Sequence, residues 1–197
     1  MPKPLSEMTL EELWELFPII LKEHSPAYED WYLEEQRKLQ ACLHSEDIVR
    51  MNHIGSTAVK NLIAKPTVDI LLEVHEVCSI LNLKQTLANN GWILMSEHTE
   101  PALKLAFNKG YTPNGFADKV FHLHVRNAGD WDELYFRDYL MVHPEIAAEY
   151  GELKLRLLEK YEHDRDGYTA AKTVFVQKYS KLAREEFTGR YKPVKIK

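Results

Sequence analysis

The sequence predicts an α/β (α+β) fold: a mixed β-sheet flanked by helices, with helices ahead of the sheet and a helical C-terminal portion. Three observations carry this. Amphipathic helical stretches occupy both ends of the chain, short segments of alternating apolar and polar residues fill its middle, and no repeat or low-complexity linker separates them. At 197 residues, 45% hydrophobic and 28% charged, the chain is long enough to bury one sizeable core. The expectation is one domain over residues 1–197, with 1–24 a helical extension and 130–187 the helical C-terminal portion.

The elements follow in order. Thr9 is an N-cap ahead of Glu11 and Glu12, and Leu10, Leu13, Trp14, Phe17 and Leu21 form an apolar stripe at helical spacing, with Pro18 as a kink or early end. Ser25 and Pro26 start a second helix, whose apolar face runs through Tyr28, Trp31, Tyr32, Leu39 and Leu43. Residues 48–54 read as a strand that runs into Gly55-Ser56-Thr57. In 66–74, Val68, Ile70, Leu72 and Val74 point one way while Thr67, Asp69, Leu71 and Glu73 point the other, a half-buried strand with two acids on its second face. A helix over 78–90 stops at Asn90-Gly91, strands follow at 92–95 and 102–107, and a glycine-rich loop spans 110–115. Over 119–126, Phe121, Leu123 and Val125 alternate with His122, His124 and Arg126, so the three polar residues share one face. Helices over 131–142, 144–161 and 165–187 complete the chain.

Charge and composition narrow the partners. A net charge of −5 gives no general attraction to nucleic acid, while leaving room for a small anionic ligand. No signal peptide or bilayer-length apolar run is visible, which points to the cytoplasm and away from a membrane. The two cysteines, Cys42 and Cys78, stand in apolar helical stretches without metal-ligand spacing and read as free thiols.

The chemistry concentrates in H-I-G-S-T-A-V at 53–59, followed by Lys65-Pro66 and Asp69. A strand entering Gly-Ser lets the backbone approach a ligand, and the N–H groups of a following helix start favour phosphate. The order strand, Gly-Ser, short helix, acid-bearing strand resembles the nucleotidyltransferase superfamily, in which the acids hold magnesium against a triphosphate. The superfamily's second acid falls two residues beyond the first, where this chain has Leu71, with Glu73 one pleat further on.

More closely, the chain resembles the GrpB family, whose members occur alone or fused after dephospho-CoA kinase. The resemblance rests on H-I-G-S-T-A-V, K-P-T-V-D-I at 65–70, H-L-H-V at 122–125, F-R-D-Y-L at 136–140 and H-P-E at 143–145. Tyr150, Leu153-Lys154, Tyr168 and Lys172 also match. The departures are Lys60-Asn61 where the family has Pro-Gly, and the first helix, an addition that bears on packing or on homo-oligomerisation.

The resemblance implies a nucleotidyltransferase-like fold and a set of pocket residues by position. His53, Gly55, Ser56, Lys65, Arg126, Arg137, Lys154, Tyr168 and Lys172 would hold phosphate or ligand. Asp69, with Glu73, would be catalytic, and Asp69, His122 and His124 would bind a divalent metal, magnesium or manganese. The implied ligand is a nucleoside triphosphate or a coenzyme A-related molecule. Structural alternatives stand beside these roles: His53 as a hydrogen-bonding sheet residue, Asp69 as a cap or as an ion pair with Lys65, and Arg137 or Asp138 turned to solvent. Three functions follow, namely a nucleotide or phosphometabolite binder extending to a divergent nucleotidyltransferase, a non-catalytic ligand- or protein-binding module, and a metal-dependent hydrolase.

Overall fold

The alternating segments form five strands, β1 (Ile48–Ile54), β2 (Thr67–Val74), β3 (Ile93–His98), β4 (Lys104–Thr112) and β5 (Gly115–Asn127), in a computed structural model that describes residues 2–193. They make one sheet in the order β1-β2-β5-β4-β3. The central β2 and β5 run parallel, and every other neighbouring pair is antiparallel, so the sheet is mixed as expected. The helices are α1 (Leu10–Leu16), α2 (Ala27–Cys42), α3 (Ile80–Asn89), α4 (Asp132–Val142), α5 (Pro144–Tyr161) and α6 (Arg165–Glu186).

One face of the sheet carries the main core. Val68, Ile70, Leu72 and Val74 of β2 and Phe121, Leu123 and Val125 of β5 pack with Tyr28, Tyr32 and Leu39 of α2 and Leu83 and Leu87 of α3. Two central strands therefore supply the apolar side that the period of two required. The other face is covered as well: Leu71 packs with Ile54 of β1 and Leu134 of α4. Strand β2 is thus covered on both faces instead of half-buried, and Asp69 alone among its residues keeps partial exposure. A parallel neighbour and helices on both sides leave little of a central strand open to water.

The N-terminal segment is less helical than its stripe suggests. A capping box closes α1, with Glu12 N donating to Thr9 Oγ1 at 3.2 Å and Thr9 N to Glu12 Oε2 at 2.7 Å. The helix stops at Leu16 because Pro18 cannot donate to the next turn. Residues 18–24 continue as extended chain, with Lys22 bridged to Ala64. The glycine-rich loop also shrinks: β4 and β5 are one hairpin in which Thr112 faces Gly115. Asn61 adopts a φ of 62°, so the residue standing at the family's glycine takes the left-handed conformation that asparagine tolerates. Cys78 is buried, Cys42 is half-buried, and both are free.

Candidate functional site

The gap in the cover over β2 opens into a hollow of about 920 Å³, bounded by the Gly55-Thr57 turn, the middle of β5 and α6. Gly55, Ser56, Lys65, Asp69, His122 and His124 all line it, as do Lys154, Tyr168 and Lys172. The parallel pairing sets Asp69 beside His122 and Leu71 beside His124, so acid and imidazoles project from the same side of adjacent strands. Gly55 has a φ of 71°, and a Cβ there would lie 2.3 Å from Asp69 Oδ2. The turn requires glycine on both counts, since the backbone and the carboxylate occupy the space a side chain would need.

Asp69 sits at the centre of the polar groups. His122 Nδ1 lies 3.1 Å and His124 Nε2 3.6 Å from its Oδ1. Burial pushes the Asp69 carboxyl up, but the hydrogen bond from His122 and the nearby His124 imidazole outweigh it and hold the group well below the usual carboxylate range. With Asp69 ionised, His122 Nδ1 carries the proton, and Nε2 is left to accept from the Tyr111 hydroxyl at 2.8 Å. Arg165 Nη2 donates to the same Tyr111 oxygen at 2.9 Å, which extends the chain of contacts to α6. Burial lowers the His122 pKa, which keeps the ring neutral between its two partners.

Around this acid stand four basic side chains, Lys65, Lys154, Lys172 and Arg165. Lys154 is 3% exposed. Its Nζ donates to Ser56 Oγ at 3.0 Å and to the Ile63 carbonyl, tying α5 to the Gly-Ser turn. Burial, then the charges of Lys172 and Arg165, lower Lys65 to about 7 against the pull of Asp69. Burial, then Lys172 and Lys65, bring Lys154 to about 7 as well. The Lys172 ammonium lies 4.5 Å from the centre of the Tyr168 ring, and Tyr168 is fully buried with no hydrogen-bond partner for its hydroxyl.

Four expected site residues lie elsewhere. Glu73 is further along the same face of β2, roughly 13 Å from Asp69 at the usual rise per residue. It is fully buried, takes Arg50 as an ion-pair partner and accepts Gly129 N at 2.9 Å, and it does not line the hollow. Arg126 pairs across from Glu73, donates to the Leu105 and Val125 carbonyls at 3.2 and 2.9 Å and approaches Glu133. Arg137 donates to the His53 carbonyl at 3.0 Å and to Asp138 Oδ1 at 2.7 Å. Arg137 and Asp138 are both largely buried, against the expectation that one faces solvent, because adjacent side chains on α4 share one ion pair. His53 contacts Thr57 Oγ1 at 3.0 Å, in the turn that follows its own strand, and stacks on Tyr32. His53 and Arg137 line a separate hollow of about 660 Å³ on the other side of Thr57.

Asp69 pairs with neither Lys65 nor a helix end among the described residues; its partners are the two imidazoles. The donor set does not suit a magnesium or manganese centre. Such ions need several oxygen ligands, whereas among the described residues Asp69 is the one carboxylate paired with His122 and His124, and both nitrogens of His122 are already engaged. Among the described residues no group of three or more histidines, cysteines or acids is placed to hold a metal ion. Tyr111, Arg165 and the apolar wall of α1 were not legible as site residues. They lie in a hairpin, at the first residue of α6 and along α1, with no motif of their own.

A mixed sheet whose Gly-Ser turn, half-buried acid and group of half-buried to buried lysines share one hollow defines an α/β protein with a cation-lined pocket. The chain belongs to the GrpB family, described as GrpB protein, whose model matches residues 18–182. It is 33% identical over 164 residues to the glutamate-rich protein GrpB of Alkalihalophilus pseudofirmus, covering 80% of this chain and 91% of that one. UPF0157 protein YqkA of Bacillus subtilis is 27% identical over 160 residues, 80% of this chain but 45% of its own length, so this chain spans about half of that relative. The crystal structure of conserved protein GrpB from Enterococcus faecalis superposes with a TM-score of 0.74 at 31% identity, over 85% of this chain and 99% of that one. Among the described residues no helix is long and apolar enough to cross a membrane.

Proposed function

We propose that this protein binds a small phosphorylated molecule, a nucleotide or phosphometabolite, in the hollow between the Gly55-Ser56 turn and α6, without a bound metal. The observation that carries this reading is the excess of basic over acidic side chains lining the hollow. Lys65, Lys154, Lys172 and Arg165 line it together with two acids, the exposed Asp166 and Asp69, whose carboxylate is already engaged by two imidazoles. Partly desolvated cations that outnumber their counter-charges raise the free energy of the empty protein, and an anion seated among them removes that penalty. Ser56 Oγ and the Tyr168 hydroxyl would give the anion hydrogen bonds, while His122, held neutral, would contribute orientation instead of charge.

Metal-dependent nucleotidyl transfer is the weaker reading, because it needs a second acid and Glu73 is committed to Arg50 and Gly129. Thermal-shift and calorimetric titration of the whole chain with nucleoside triphosphates and coenzyme A precursors, with and without magnesium or manganese, tests the proposal. Stabilisation by phosphorylated ligands in the absence of metal is expected. Stabilisation only when metal is added would transfer the reading to metal-dependent chemistry, and silence with every ligand would end it.

A further inference from the structure

The hollow is far larger than a phosphate group and has two chemically different ends. Its cationic end is the one described above. Its other end is apolar, built by Leu10, Leu13, Trp14 and Phe17 of the N-terminal segment and by Ile93 and Met95 of the edge strand β3. A volume of about 920 Å³ lies at the upper end of the range for pockets that take whole organic ligands. Leu10, Ile93 and Met95 are 52%, 45% and 58% exposed, so this wall offers apolar surface that nothing among the described residues covers.

The wall is anchored firmly enough to select. Phe17 is 3% exposed and packs its ring 4.8 Å from that of Tyr111 and 5.1 Å from that of Phe116. Tyr111 in turn touches His122 and Arg165, so the apolar wall meets the polar end at one residue. Ile19 N donates to the Glu162 carbonyl at 2.7 Å, pinning the chain just past α1 to the end of α5. All four residues of the N-terminal wall precede residue 18, where the match to the family model begins.

We infer that the N-terminal segment is a specificity element, and that the pocket takes a phosphate monoester whose other end is an apolar aromatic group. This rests on the phosphate-binding reading above and names the class of ligand. The phosphate sits among Lys65, Lys154 and Lys172, and the ring lies against Leu10, Trp14 and Met95. Removing roughly 60 Å² of apolar surface from water on that wall corresponds to about tenfold in affinity.

Calorimetric titration of the full chain with inorganic phosphate, ribose 5-phosphate and 2-naphthyl phosphate tests the assignment. The naphthyl ester is expected to bind at least about tenfold more tightly than the other two. Leu10→Ser and Met95→Ser, both at exposed positions that leave the fold intact, should each remove most of that advantage and leave phosphate affinity unchanged. Equal affinities for all three ligands, or an advantage that survives both substitutions, would overturn the inference while the phosphate site stands. If none of the three binds, this inference fails, and the phosphate-binding reading is decided separately by the nucleotide titration above.

Discussion

At the scale of single residues, the lysines are the most informative groups. Lys65 and Lys154 are lowered to about 7, which places their titration at the pH where the protein is handled. Their unfolded value is about 10.4, so between those limits the unfolded chain binds more protons than the folded one. Their burial therefore penalises the folded state below about pH 7, and the penalty fades as pH rises toward 10. Lys65→Met should raise Tm at pH 6 and change it little at pH 10, since about 1 kcal/mol moves a chain of this size by about 2–4 °C. Anion binding runs the other way, because it favours the protonated lysines. Affinity for inorganic sulfate, which does not titrate in this range, should rise as pH falls from 8 to 6, by up to about tenfold per pH unit for each linked proton. A flat calorimetric pH profile in the parent protein, or a Lys65→Met variant that binds sulfate as well as the parent, would remove Lys65 from the site.

At the scale of elements, β2 shows how far the sequence could be read. Alternation over 66–74 identified the strand, its core face and the side on which both acids stand. It could not separate the two acids, because a period of two assigns Asp69 and Glu73 the same face and only the neighbours tell them apart. Asp69 meets imidazoles from β5, whereas Glu73 meets Arg50 from β1 and the Gly129 backbone, contacts across 23 and 56 residues of chain. Likewise the stripe of α1 was legible as apolar, but amphipathicity alone does not say whether a helix covers a core or a ligand. The Gly-Ser turn was easier, since glycine there answers a backbone need that sequence displays directly. The division of labour along β2 is testable. Glu73→Ala leaves Arg50 partly buried without its acid, a loss of about 3 kcal/mol, and should lower Tm by about 6–12 °C. Sulfate affinity, measured well below that Tm, should stay at the parent value. A Glu73→Ala protein of normal stability that fails to bind sulfate would return Glu73 to the site.

At the scale of the whole molecule, the two hollows cost stability in acid as well as near neutrality, because His122 in one and His53 in the other are arranged to stay neutral. Burial lowers His53 to about 4, with Arg137 and His24 adding to the shift against Asp69, and burial lowers His122 too. The unfolded chain protonates these rings near pH 6.5, so stability declines as pH falls from there, one proton for each ring that remains neutral in the folded state. Asp69 acts in the same direction lower down. Its depressed pKa contributes stability that is present above the unfolded value near 3.9 and is lost as pH falls below it. The two effects fall in separate windows, the first governed by imidazoles and the second by the carboxylate. Urea unfolding at pH 7, 6, 5 and 4 should therefore show a steady loss from about pH 6.5 downward, well before carboxylates begin to titrate. His53→Gln keeps a hydrogen-bonding group toward Thr57 and removes one titrating ring, so it should flatten the slope between pH 6.5 and 4 by about one proton. An unchanged slope would mean that His53 takes up a proton while folded, and the buried stack on Tyr32 could not then be the cause of the acid sensitivity.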